Sequence, residues 1–183
     1  MSKINGIYAA SVSILDENLK LDIHKTIRHA ENLIKSGCHG VVIFGSTGQS
    51  QLISLEEKFE LIQNISKSIF KDKFIIGTGL NSLQDTISLI KISNSYNFNN
   101  FLIMPPAYYM YEDKDVIRFY IKLIEKLSNC KIILYNFEKL SGYKFSKESV
   151  EKLVSLFPEN IIGVKDSSYN LFEHLKLKNF SIL

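Results

Sequence analysis

The chain has 183 residues, 45% of them apolar, 11% aromatic and 22% charged, with a formal net charge of +3. That balance excludes a disordered chain and provides for one sizeable core. The Lys/Arg excess is spread along the sequence rather than gathered in a block, which argues against a nucleic-acid-binding protein. Cys38 and Cys130 are far apart and belong to no Cys-x-x-Cys pair, the pattern of reduced thiols in a cytoplasmic protein. No segment approaches the ~18 uninterrupted apolar residues of a membrane span. The most apolar run, 101–111, is broken by Pro105 and Pro106.

Short apolar runs alternate with segments of helical period. The first run is Gly6–Ala10. Asp22 then caps a predicted helix whose Ile23, Ile27, Ala30, Leu33 and Ile34 share a face, and Gly37 can end it. The second run is Gly40–Phe44. Ser54 and Glu57 form a capping box before Phe59, Ile62, Ile65 and Ile69. After the third run, Phe74–Gly77, Ser82 and Asp85 give a weaker box before Ile87, Leu89 and Ile90. After the fourth, Phe101–Met104, either Asp113 or Asp115 opens a helix through Val116, Phe119, Ile121 and Leu127. After the fifth, Lys131–Tyr135, Ser146 opens a helix through Val150, Leu153, Val154 and Leu156, closed by Pro158. The sixth run is Ile161–Val164.

These runs are continuous rather than alternating, as strands covered on both faces are. They recur about every 30 residues, the length of one strand–helix unit. The pattern predicts an α/β fold with a parallel sheet and right-handed crossovers. A doubly wound open sheet and a (β/α)8 barrel both fit, and both place chemistry at the C-terminal ends of the strands.

Those ends carry the candidate residues. The second strand ends in Gly45-Ser46-Thr47-Gly48, where two glycines allow a tight turn and the intervening amides can face an anion. The third ends in Gly77-Thr78-Gly79-Leu80-Asn81-Ser82, an incomplete Gly-x-Gly-x-x-Gly in the wrong place for a dinucleotide, read as a turn. The fourth runs into Pro105-Pro106-Ala107-Tyr108-Tyr109, a stiffened loop presenting two tyrosines. The fifth ends in Tyr135-Asn136 and the sixth in Lys165-Asp166-Ser167-Ser168. A phenol can donate and accept a proton, and a desolvated lysine is a nucleophile toward a ketone. Each loop taken singly is also an ordinary βα turn, an edge tyrosine or a solvated lysine. The four histidines, His24, His29, His39 and His174, have no metal-ligand spacing and read as structural or exposed.

Taken together, Gly-Ser-Thr-Gly, Tyr-Asn and Gly-Val-Lys-Asp resemble the dihydrodipicolinate synthase/N-acetylneuraminate lyase family, with further likeness at Gly6-Ile7, Gly77-Thr78-Gly79 and Pro106-Ala107-Tyr108-Tyr109. The resemblance implies a (β/α)8 TIM barrel and a class I aldolase mechanism on pyruvate or another 2-oxo acid. It implies that Lys165 forms the Schiff base, Tyr135 shuttles protons, Ser46 relays them, and Tyr108 reaches in from a neighbouring subunit. Ser46, Thr47, Gly48 and Ser167 would bind the substrate. No metal or organic cofactor is implied, since the lysine itself supplies the electron sink. The implied partners are pyruvate and an aldehyde, within a homodimer or homotetramer.

The sequence also departs from the family pattern. Ser13-Ile14-Leu15 replaces the usual Thr-Pro-Phe, Gln49 the glutamate of many synthases, and Glu138 a proline. Leu140 stands where dihydrodipicolinate synthases usually have an arginine that binds the aldehyde substrate's carboxylate; leucine cannot do this. Leu140-Ser141-Gly142 resembles the sugar-acid lyases instead. The leading expectation is therefore a pyruvate-dependent aldolase or lyase acting on a 2-oxo sugar acid. Dihydrodipicolinate synthase of lysine biosynthesis and an inactive fragment are the alternatives. At about 30 residues per unit, 183 residues hold six units, and Phe180-Ser181-Ile182-Leu183 reads as the start of a seventh strand. Eight strands close a barrel, so residues 1–183 are expected to be a single partial barrel domain, truncated at the C-terminus.

Overall fold

The computed structural model describes residues 4–127, 129–169, 171 and 174–183. Among these residues seven strands form one sheet: β1 (Tyr8–Ala10), β2 (Gly40–Ile43), β3 (Phe74–Gly77), β4 (Asn100–Ile103), β5 (Lys131–Asn136), β6 (Ile161–Asp166) and β7 (Ser181–Ile182). Every neighbouring pair is parallel and the strands lie in chain order. Sequential order is that of a barrel. A doubly wound sheet would reverse direction from a central strand, so that alternative is rejected. The sheet curls far enough for the Ser181 hydroxyl on β7 to donate to the Ile4 carbonyl ahead of β1 at 3.1 Å.

Among the described residues six α-helices connect the strands: α1 (Ile23–Lys35), α2 (Leu55–Ile65), α3 (Leu83–Ser95), α4 (Asp113–Ile124), α5 (Glu138–Ser141) and α6 (Lys147–Leu156). Their starts follow the sequence signals. Asp22, Ser82 and Ser146 accept from Lys25, Asp85 and Ser149 amides, and Ser54 with Glu57 forms the full capping box. Glu57 does more than cap. It also accepts from the Leu21 amide at 2.8 Å, a bond that lowers its carboxyl below the usual range. Gly37 takes a positive φ of 108° just after α1, as a C-terminal glycine should.

Some boundaries differ from expectation. β1 starts at Tyr8, leaving Ile7 exposed. Ile69 and Leu127 lie beyond the ends of α2 and α4, and Ile69 is exposed because the chain there turns toward β3 through a 3-10 segment at Lys71–Lys73. The cap of α4 is Glu112, whose amide donates to Asp115. The short α5 carries no helical periodicity to betray it, and Gly142 at φ 72° ends it. No helix among the described residues is long and apolar enough to cross a membrane.

The strands divide their side chains between two layers. Val41, Ile43, Phe74, Ile76, Phe101, Ile103, Ile132 and Leu134 pack outward under the helices. Val42, Ile75, Leu102, Met104, Ile133 and Tyr135 form a smaller inner cluster. Alternation along each strand produces both.

Candidate active site

The C-terminal ends of β2, β5 and β6 converge. After Ile43, Phe44 adopts a left-handed φ of 54°, which turns the chain out of β2 into Gly45-Ser46-Thr47-Gly48. The amides of Gly48 and Ser50 both bond the Gly45 carbonyl, and that of Gln49 the Ser46 carbonyl. Gly48 therefore closes the turn with its N–H, and a side chain there would strike the Ser11 carbonyl at 2.9 Å. The Ser13 hydroxyl ties the same loop to the end of β1 by donating to the Gly48 carbonyl at 2.6 Å. Ser46 and Thr47 stand exposed at the tip.

Tyr135 ends the inner row of β5, and its hydroxyl is 2.9 Å from Ser46 Oγ, close enough for a proton to pass either way. Lys165 is paired in register with Tyr135. Its Nζ lies 4.2 Å from the Tyr135 ring centroid and donates to Ser167 Oγ at 2.6 Å. A register shift in the β5–β6 pairing decides that Lys165 faces inward. Ile161 pairs with Ile132, but Gly163 pairs with Ile133, so β6 carries one extra residue there. Ile161 and Val164 consequently both pack outward although three residues apart, and Lys165 follows Val164 onto the inner face. Without the extra residue, strict alternation would send Lys165 into the helix layer.

The next pair of residues locks the two strand ends. Asn136 Nδ2 donates to Asp166 Oδ1 at 2.8 Å, with both side chains buried. Asn136 Oδ1 accepts from the Phe145 amide, and Asp166 accepts from the Ser168 and Leu171 amides. Buried polar groups satisfied in this way fix a single conformation. Nothing in the sequence gives Ser13 or the Asn136–Asp166 pair a role. Their types are ordinary, and only the fold brings them together.

Two cavities share this centre. One of about 320 Å3 is lined by Ser46, Thr47, Tyr135 and Lys165 with Tyr8, Val42, Leu102 and Leu183 among its apolar walls. The other, about 250 Å3, lies across Ser46 and Tyr135 and is lined by Gln49, Gln51, Leu52, Met104 and Leu140 among others. Tyr108 joins neither. It is 88% exposed at a positive φ of 84°, edge-on to Tyr109, beyond a loop that Asn81 anchors by accepting from the Ala107 amide. A left-handed bulky residue marks a constrained loop. Among the described residues no group of three or more His, Cys, Asp or Glu could hold a metal ion. His39 instead accepts from the Ile7 amide at 3.0 Å.

The dihydrodipicolinate synthetase family model matches residues 3–181. The chain is 28% identical to 4-hydroxy-tetrahydrodipicolinate synthase of Karelsulcia muelleri, an alignment covering all of this chain and 63% of that protein. Among solved structures, dihydrodipicolinate synthase from Agrobacterium tumefaciens superposes with a TM-score of 0.88 at 26% identity, over 97% of this chain and 65% of that one. A 2-keto-3-deoxygluconate aldolase variant from Sulfolobus solfataricus, in a pyruvate complex, gives 0.78 at 26% identity, over 88% and 53%. The chain thus spans between about half and two thirds of the length of these relatives. With the strand order, the matched residues and these likenesses in agreement, the chain belongs to the dihydrodipicolinate synthetase family.

Proposed function

We propose that this chain carries the reacting groups of a pyruvate-dependent class I aldolase or lyase. The observation that supports it most is the meeting of Lys165, Tyr135 and Ser46 at one cavity, with the amine over the phenol ring and the phenol on the serine. In this reading the neutral Lys165 amine adds to the ketone carbon. The carbonyl oxygen takes a proton through Tyr135, then a second, and leaves as water, and the resulting iminium draws electrons from the neighbouring C–C bond. Ser46 passes the proton between Tyr135 and the solvent side. The exposed Ser46 and Thr47 amides, with the Ser167 hydroxyl, hold the substrate carboxylate, and Gly48 shapes the loop that presents them. Tyr108 serves a neighbouring copy within a homodimer or homotetramer, which suits its exposure. Reduced Cys38 and Cys130 suit the cytoplasm.

The cavity beyond Tyr135 supports a 2-oxo sugar acid as substrate. The side chains of Gln49, Gln51, Leu52, Met104 and Leu140 are uncharged, which suits a neutral hydroxylated aldehyde better than one bearing a carboxylate. Synthesis of 4-hydroxy-tetrahydrodipicolinate, the activity named for the Karelsulcia relative, is the second reading. Borohydride reduction in the presence of pyruvate tests the chemistry: a covalent adduct is expected on Lys165 and none on Lys165→Ala. No adduct on the folded wild-type chain would leave the inactive-fragment reading. Condensation of pyruvate with aspartate semialdehyde would favour the second reading over the first.

A further inference from the structure

Lys58 is a buried amine that the site described above does not use. It lies on α2 with a relative exposure of 0%, and its Nζ has no hydrogen-bond partner among the described residues. Burial drives its amine from the ordinary 10.5 down to about 8, against the pull of Asp85 on α3 and Glu57 on its own helix. Burying an ammonium without hydrogen bonds is expensive, and a methionine of similar length would fill the same space without that cost. The group the ammonium does face is the ring of Phe44, 5.8 Å from Nζ to centroid, a distance at which a cation is attracted to an aromatic face.

Phe44 is the residue that turns β2 into the Ser46 loop. It is buried to 1%, and its φ of 54° is one that an L residue adopts only when its surroundings impose it. Its carbonyl lies so close to Gly77 of β3 that a side chain at 77 would meet it at 2.2 Å. The ring on one side and the carbonyl on the other therefore fix the turn. We propose that Lys58 is a positioning residue, whose ammonium on the face of Phe44 holds the left-handed turn that aims Ser46 and Thr47 toward Tyr135 and the substrate carboxylate. This rests on the reading of that loop given above. Lys58 touches no substrate; it acts through Phe44.

The test compares the full chain with Lys58→Met, Phe44→Leu and the double variant. Hydrogen exchange is followed at the backbone amides of residues 44–48, with 131–134 of β5 as the reference. Loss of one buried cation–π contact is expected to speed exchange at 44–48 by about fivefold in Lys58→Met. The reference should not change, and the thermal midpoint should be equal or higher. Phe44→Leu should act alike, and the double variant should add little. Unchanged exchange at 44–48, additive effects, or a lowered midpoint with faster exchange throughout would each overturn the proposal, the last by showing that Lys58 only fills space. The pyruvate concentration for half-maximal trapping on Lys165 should also rise about fivefold in Lys58→Met, with the same yield at saturation. A wild-type chain that traps no pyruvate refutes the aldolase reading alone, since the exchange comparison decides the role of Lys58 without it.

Discussion

The outer and inner faces of the sheet use the same residue types with different results. Phe101 and Ile103 of β4 project outward and pack to 0% exposure in the layer shared with the helices. Leu102 and Met104, one residue away, project inward and line the cavity beside Tyr135. On the outer face the apolar side chains of β2 to β5 are buried under the helices and serve stability, while Ala9 of β1 and Ile182 of β7 are only partly covered. On the inner face the apolar side chains border open space beside the hydrogen-bonded Ser46 and Tyr135 hydroxyls and the Lys165 amine. Scaffold and site are thus separated by one residue step along each strand rather than by distance.

Three measurements can break or sharpen this contrast. Phe101→Ala should lose about 3–5 kcal/mol in urea unfolding, because the helix layer cannot collapse into the space left, whereas Leu102→Ala, already beside a cavity, should lose roughly 2 kcal/mol. Equal losses would erase the distinction between the faces. Lys58, in the packed layer, should leave a mark on the pH dependence of stability. Its folded-state value of about 8 lies below the ordinary 10.5, so between these pH values the unfolded chain holds more protons and stability rises with pH. The wild-type gain over Lys58→Met should be on the order of 3 kcal/mol across that window. A wild-type curve parallel to that of Lys58→Met would show that the amine is not buried in the charged form. On the inner face, Tyr135→Phe should leave stability almost unchanged and slow turnover about 100-fold, a barrier increase of about 2.7 kcal/mol. Unchanged turnover would take the proton-transfer role from Tyr135.

Much of the scaffold was legible because its signals are local. Caps such as Asp22, Ser54, Ser82 and Ser146 act within four residues, and an apolar run flanked by turns needs no distant partner to be read as a strand. The candidate residues Ser46, Tyr135, Lys165 and Ser167 could be proposed from sequence because their motifs at or just past the strand ends, taken together, resemble one family; no single loop distinguishes them from an ordinary turn. The short α5, the ties made by Ser13 and the Asn136–Asp166 pair were not legible, since no periodicity or spacing distinguishes them. Nothing in the sequence marks Lys58. Its burial follows from the packing of α2 on its neighbours.

The sequence by itself determined the alternation of strand and helix, the order of elements and the residue types offered at each strand end, because these follow from side-chain period and capping within single segments. The tertiary structure alone decided which way those residues face. One extra residue in β6 at the Ile132–Ile133 pairing moves Lys165 to the inner face above Tyr135, and the left-handed Phe44 turns Ser46 toward the same point. Both are phase shifts in the backbone, set by how one strand registers and packs against another, and no single segment of sequence carries that information.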